Sequence, residues 1–96
     1  MNNVAANQEL PITLLIIDDD LVDRKSIRRA LMSSHRPIII IEAKTGEEGI
    51  AQFENNIVDV LLIDYRLPDI DGLALIKVLL ARKKTDATYQ QCSKRI

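Results

Sequence analysis

The stretch Val58–Gly72, VDVLLIDYRLPDIDG, decides the fold, because an apolar run ends there at one carboxylate and then turns. The residues before Asp64 are aliphatic and nearly continuous, which is typical of a strand buried on both faces of a parallel sheet. Asp64 therefore follows the carboxyl end of a strand, where open α/β sheets collect ligands and chemistry. Leu67-Pro68 ends strand pairing, and Asp71-Gly72 supplies an N-cap and a turn residue before the next helical pattern.

Two earlier apolar runs show the same strand pattern. Thr13–Ile17 ends in three carboxylates, and Ile38–Ile41 follows a break at a proline. Amphipathic or capped segments predict three helices, over about Leu21–Ser33, from the capping box Thr45–Glu48 to about Asn55, and over about Gly72–Lys83. The order β-α-β-α-β-α predicts parallel strands joined by right-handed crossovers.

A spatial strand order of 2-1-3 brings the carboxyl ends of the first and third strands side by side. Asp18 and Asp19 then lie near Asp64, although they are distant in sequence. Carboxylates that lie close together at the ends of neighbouring strands repel each other unless they are protonated, spread into solvent or bridged by a cation. Hard oxygen ligands in a small open site favour Mg²⁺, and an Asp carboxylate is a competent nucleophile toward phosphorus.

Length and composition limit the other possibilities. The 96 residues, 47% hydrophobic and 28% charged, predict one globular domain. The net charge of -1 predicts no strong attraction to nucleic acid or to a membrane, and no apolar segment approaches the roughly 18 residues that span a bilayer. The single cysteine, Cys92, cannot form an internal disulfide, which favours a cytoplasmic location.

Two motifs resemble those of a known family. IIDDD at Ile16–Asp20 and LLIDYRLPDIDG at Leu61–Gly72 are similar to the motifs of the response-regulator receiver domain of two-component signalling, and the resemblance covers roughly Leu14–Arg82. It implies a flavodoxin-like, doubly wound α/β sheet, of which this chain holds three β/α units in strand order 2-1-3. It also implies a phosphoacceptor signalling domain rather than an enzyme, with a histidine kinase or phosphotransfer protein as partner.

The resemblance assigns a role to each residue of the site. Asp64 becomes the phosphoacceptor, Asp19 a direct ligand of Mg²⁺, and Asp18 the second acid of the pair, acting largely through water. The backbone carbonyl of Arg66 becomes a further ligand of Mg²⁺. Pro68 and Gly72 are implied to shape the loop after the phosphoacceptor.

The chain departs from the family pattern after its third helix. We therefore expect a flexible arm at 1–11, a truncated receiver domain at 12–83 and an atypical basic polar tail at 84–96. The family's hydroxyl residue and lysine on strands four and five have no counterpart, so phosphotransfer is expected to be impaired. The edge of the third strand and the third helix are both apolar and are expected to lack neighbours. We therefore expect a homodimer in which these surfaces of two copies meet.

Alternatives stay open at this point. One is a receiver-derived interaction module that no longer switches, and another is a small aspartate-nucleophile phosphohydrolase, whose motif the pair Asp18 and Asp20 mimics. The remaining polar residues have simpler interpretations. Asp20 is expected at a helix N-terminus, Tyr65 on the rim of the site, His35 on the surface, and Glu42, Asp69 and Asp71 in solvent or capping positions.

Overall fold

A computed structural model of the chain describes residues 10–83. Its elements are β1 (Ile12–Ile17), α1 (Leu21–Leu31), β2 (Ile38–Ala43), α2 (Gly46–Asn55), β3 (Val60–Ile63) and α3 (Gly72–Lys83). The predicted alternation of strands and helices is confirmed. The expected tail at 84–96, and all but two residues of the expected arm, lie outside the described residues. Within residues 10–83, no helix has the length and apolar character needed to cross a membrane.

The three strands form one parallel sheet in the order β2-β1-β3, as predicted. Ile17 pairs with Ala43 of β2 and with Ile63 of β3, so the three strands end level with one another. The residues that follow β1 and β3 therefore leave the sheet side by side, at the carboxyl ends of the strands. At the amino ends of β1 and β3, the N–H of Asp59 donates to the Thr13 carbonyl (2.9 Å), and the Asp59 carboxylate accepts from the Thr13 N–H (2.8 Å).

The main core lies between the sheet and the helices α2 and α3. Leu15 and Ile17 of β1 point into it and are fully buried, together with Leu75 and Leu79 of α3. Gly49 lets α2 approach the sheet, because a Cβ at that position would lie 2.4 Å from Cδ1 of Ile17. The burial of Leu75 and Leu79 means that the core covers part of the apolar surface of α3.

The opposite face of the sheet is covered less completely. Leu14 and Ile16 are buried there, but α1 contributes no fully buried residue. Val60 and Leu62 of β3 remain 42% and 41% exposed. The expectation that β3 is buried on both faces is therefore wrong for these two side chains, because α1 is the one helix within residues 10–83 on that side and it packs toward β2.

The start of α2 and the end of α3 are held by polar contacts. Thr45 Oγ1 accepts from the N–H of Glu48 (3.0 Å), which confirms half of the predicted capping box, whereas Glu48 accepts from the N–H of Lys44 (3.0 Å) and not from that of Thr45. At the end of α3, Lys83 is buried although it is charged. Its Nζ donates to the Val58 carbonyl (3.4 Å) and lies 5.4 Å from the centre of the Phe53 ring.

Truncating a core leucine of α3 tests this packing. We expect Leu75→Ala to lower the free energy of unfolding by about 2–5 kcal/mol, because the side chain is fully buried and its removal leaves a cavity. Leu73→Ala is the matched control on the same helix, since Leu73 is 58% exposed. Urea denaturation followed by circular dichroism measures both, and equal losses for the two variants would contradict the described core.

Candidate functional site

Three carboxylates converge at the edge where β1 and β3 end. One carboxylate oxygen from each of Asp18, Asp19 and Asp64 lies within 4.8 Å of the other two. Asp18 and Asp64 are half-buried, and Asp19 is exposed. The structure therefore brings together the three acids that the strand order predicted, and we call them the acidic cluster.

Backbone hydrogen bonds fix where two of these acids leave the sheet. The N–H of Asp18 donates to the Ala43 carbonyl (3.0 Å), and the N–H of Asp64 donates to the Ile17 carbonyl (2.8 Å). Each side chain then accepts a bond from its own loop: Asp18 Oδ1 from the N–H of Asp20 (2.9 Å), and Asp64 Oδ1 from the N–H of Arg66 (3.3 Å). The strand register and the two loops together orient the carboxylates.

The chemistry of the donor set fits a divalent cation. Three carboxylates at this separation repel one another, and a hard cation with oxygen ligands offsets that repulsion. Mg²⁺ binds through few carboxylates and keeps several waters, so the acidic cluster suits it. The concentration of negative charge also acts on a neighbour: the pKa of Asp23 is raised, chiefly by the Asp20 carboxylate and to a smaller extent by desolvation and the acidic cluster.

Asp20 lies beside the acidic cluster but has a different function. Its carboxylate accepts from the N–H groups of Val22 (2.8 Å) and Asp23 (3.4 Å) and so caps the N-terminus of α1. This agrees with the predicted N-terminal helix role. It also weakens the phosphohydrolase alternative, because that motif needs both Asp18 and Asp20 in the site.

The loop between Asp64 and α3 is held by two further aspartates. Asp71 accepts from the N–H of Ala74 (2.9 Å) and caps α3, as its capping interpretation predicts. Asp69 caps α2 instead, by accepting from the N–H groups of Gly46 (2.8 Å) and Glu47 (2.9 Å). These two backbone bonds lower the pKa of Asp69. Sequence reasoning missed this partner, because the capped helix begins 23 residues earlier.

Gly72 allows the start of α3 to pack against the backbone of Asp64, the residue that the resemblance implies is the phosphoacceptor. A Cβ at Gly72 would lie 2.9 Å from the backbone oxygen of Asp64 and 3.0 Å from Cα of Tyr65. None of the glycines in residues 10–83 has a positive φ. Gly72 is thus required for a close approach between backbones, and not for the left-handed turn conformation that often selects glycine.

Glu42 is the clearest correction to the sequence interpretation. It was expected in a solvent or capping position, but it is partly buried and accepts from Nε of Arg24 (2.8 Å) and from Nε of Arg28 (3.0 Å). The hydrogen bonds from Arg28 and Arg24, in that order, lower its pKa. Arg24 and Arg28 are four residues apart and share one face of α1, which is the sequence signal that could have identified them.

Of the other predicted residues, Tyr65 and Arg66 directly follow Asp64 in the loop after β3. Tyr65 is 66% exposed, and Arg66 is exposed and forms an isolated antiparallel bridge with Asp71. The role of the Arg66 carbonyl as a metal ligand stays a prediction. His35 is exposed, as expected.

Comparisons with known proteins point to one family. The family profile described as the response regulator receiver domain matches residues 14–89. The chain is 30% identical over 81 residues to a protein-glutamate methylesterase/protein-glutamine glutaminase of Rhodopseudomonas palustris (strain HaA2), covering 84% of this chain and 21% of that protein. It is 32% identical over 74 residues to a protein of the same description, of the group 2 operon of Bradyrhizobium diazoefficiens, covering 77% and 19%. The chain thus spans about a fifth of the length of these relatives.

Solved structures share the fold. The chemotaxis response regulator CheY4 of Vibrio cholerae superposes with a TM-score of 0.70 at 20% identity, over 84% of this chain and 62% of that one. A CheY-like receiver domain protein from Methanospirillum hungatei JF-1 gives 0.68 at 29% identity, over 78% and 58%. The receiver domain of Ssk1 from Saccharomyces cerevisiae, co-crystallised with the histidine phosphotransfer signaling protein Ypd1, gives 0.71 at 21% identity, over 80% and 52%.

The Asp69 contact leads to a prediction about acid stability. The pKa of Asp69 in the folded chain lies below its ordinary value of 3.8. The contribution of Asp69 to the free energy of unfolding is therefore complete above pH 3.8 and is lost as the pH falls through the lower pKa of the folded state. We therefore expect Asp69→Ala to lower the Tm at pH 5–7 and the difference from wild type to shrink below pH 3.8. Thermal unfolding at each pH measures this, and a difference that grows on acidification would contradict it.

Proposed function

Because the chain belongs to the response regulator receiver domain family, we propose that it accepts a phosphoryl group on Asp64, with Mg²⁺ held at the acidic cluster. The observation that supports this most strongly is the convergence of three carboxylates from two separate loops at the ends of β1 and β3. Asp18, Asp19 and Asp64 supply side-chain oxygens, and the backbone carbonyl of Arg66 is the proposed further ligand.

The proposed reaction is a phosphoryl transfer to a carboxylate. An oxygen of Asp64 attacks phosphorus and forms a new P–O bond, while the bond between phosphorus and the donor breaks and its electron pair leaves with the donor. The donor atom is the ring nitrogen of a phosphohistidine, or a carboxyl oxygen in a small acyl phosphate. Bound Mg²⁺ supplies positive charge for the phosphoryl oxygens. Asp18 and Asp19 hold that charge beside the nucleophile.

The proposed partner is a histidine kinase or a histidine phosphotransfer protein. The Ypd1–Ssk1 co-crystal structure supports this class of partner, because the Ssk1 receiver domain shares the present fold. We propose a phosphoacceptor rather than an enzyme with its own substrate. The methylesterase and glutaminase activities in the relatives' names belong to proteins about five times as long as the matched region.

Intact mass spectrometry tests the phosphoacceptor. We expect incubation with acetyl phosphate and Mg²⁺ to add one phosphoryl group to the wild-type chain, and chelation of Mg²⁺ to suppress it. Asp64→Asn is expected to abolish labelling, because an amide cannot form the acyl phosphate. Asp59→Asn is the matched control, since Asp59 lies at the opposite end of β3 and its amide oxygen can still accept from the N–H of Thr13.

Other labelling patterns would favour the alternatives. An unlabelled wild-type chain would favour a receiver-derived interaction module, and phosphate on Asp18 with repeated turnover would favour a phosphohydrolase. The rate of labelling, measured against an intact receiver domain, tests the expectation that phosphotransfer is impaired.

We further infer that the chain forms a homodimer through β3. Among residues 10–83 the outer edge of β3 has no neighbouring strand, and Val60 and Leu62 are more than two-fifths exposed. These side chains continue an apolar groove of about 330 Å³ on the same face of the sheet. The groove is lined by Ile12, Leu14, Ile27, Ala30, Leu31, Ile38, Val60 and Leu62. The burial of Leu75 and Leu79 leaves α3 a smaller part in this interface than its sequence predicted.

Light scattering at micromolar concentration tests the dimer. We expect twice the chain mass of 10.8 kDa for wild type and a shift to the monomer for Leu62→Lys, because a charge at the edge opposes pairing. Ile39→Lys, on the other edge strand and similarly exposed, is the control and should leave the mass unchanged. A monomeric wild type whose β3 amides resist hydrogen exchange would show that the edge is covered within one chain.

A further inference from the structure

We propose that Arg24 is a positioning residue for the acidic cluster, an inference that rests on the proposed binding of Mg²⁺ there. Its Nη1 donates to the backbone carbonyl of Asp18 (2.7 Å), and its Nε donates to Oε1 of Glu42 (2.8 Å). Arg24 thus joins α1, the loop after β1 and the end of β2. It touches none of the carboxylates of the acidic cluster through these bonds.

The bonded carbonyl belongs to the peptide that links Asp18 to Asp19. The preceding peptide is fixed by the bond from the Asp18 N–H to the Ala43 carbonyl (3.0 Å). With both the N–H and the carbonyl of Asp18 held, little rotation is left to its backbone. That rotation would move the Asp19 carboxylate relative to Asp64, because Asp19 is attached to the carbonyl that Arg24 binds.

The bond to Glu42 holds the forked guanidinium group of Arg24 in one orientation. The Arg24 side chain is 13% exposed, so water competes little for its bonds. Arg28, one helical turn later, donates to Oε2 of the same carboxylate from Nε (3.0 Å) and from Nη2. The two arginines differ in one respect that matters here: Arg24 reaches the Asp18 carbonyl, and no hydrogen bond of Arg28 within the described residues does.

The charge of Arg24 and its role in holding the Asp18 carbonyl predict opposite changes in Mg²⁺ affinity when Arg24 is replaced. As a positive charge beside three carboxylates, Arg24 disfavours a bound cation, so its removal would tighten binding if charge dominated. As the anchor of the Asp18 carbonyl it favours the geometry that binds the cation, so its loss would weaken binding. Lysine keeps the charge but cannot make both bonds of the fork from one Nζ.

A Mg²⁺ titration of the 96-residue chain, followed by amide NMR shifts at Asp19 and Asp64, tests the inference. We expect Arg24→Lys and Arg24→Gln to raise the Kd for Mg²⁺ by about tenfold, as loss of a partner that orients metal ligands commonly does. Arg28→Lys, the matched control, should change the Kd by less than about twofold on the same reasoning. Glu42→Gln should weaken binding in the same direction as the Arg24 variants, and it provides a second variant where an Arg24 substitution prevents folding.

A measurement without metal separates position from stability. The carbonyl carbon resonance of Asp18 should shift in metal-free Arg24→Lys and stay in place in Arg28→Lys, whatever their Tm values. Wild-type binding of Mg²⁺ with an unchanged or lower Kd in the Arg24 variants would overturn this inference alone. A wild-type chain without site-localised shifts at millimolar Mg²⁺ would overturn the proposed metal site, and this inference with it.

Discussion

The pairing of β1 with two parallel neighbours is the constraint on which the rest of the molecule depends. Ile17 is in register with Ala43 and Ile63, and this common end fixes where three loops begin. A shift of one residue in the pairing of β1 with β3 would turn the side chains of one of these strands to the opposite face of the sheet and would move Asp18 away from Asp64. The core and the acidic cluster therefore have the same geometric cause. Burial of the strands stabilises an arrangement of carboxylates that electrostatics alone opposes.

The aspartates of this chain divide according to the backbone N–H groups that surround them. Asp20, Asp69 and Asp71 accept from the first turns of α1, α2 and α3, where unpaired N–H groups are concentrated. Asp19 and Asp64 instead converge with Asp18 at the sheet edge. One residue type thus serves both helix capping and the acidic cluster. Asp69 also links the loop after Asp64 to α2, so both helices of the main core contact that loop.

Much of the fold could be predicted because its signals are local. The apolar runs indicated the strands, a capping residue precedes each of the three helices, and the bounds predicted for α3, about Gly72 to Lys83, agree with the structure. The convergence of Asp18 and Asp64 followed from the strand order. Contacts between distant segments could not be predicted in this way: Glu42 pairs with Arg24 18 residues away, and Asp69 caps a helix 23 residues earlier. The exposure of Val60 and Leu62 also depends on which helix covers the sheet, and a strand's own residues do not encode that.

The parallel register has a consequence for synthesis on the ribosome. Thr13 and Asp59, which clamp β1 to β3, are 46 residues apart. At a translation rate of about 5–20 residues per second, β1 leaves the ribosome roughly 2–9 seconds before its second neighbour exists. During that interval β1 can pair with β2, whose first residue lies 26 positions after Ile12, but its other edge stays open. Of the three described strands β3 is synthesised last, and Asp64 follows it directly, so the mutual repulsion of the three carboxylates arises only after β1 and β2 have been made. Nascent chains of this protein are thus exposed to edge-to-edge association before the acidic edge is complete.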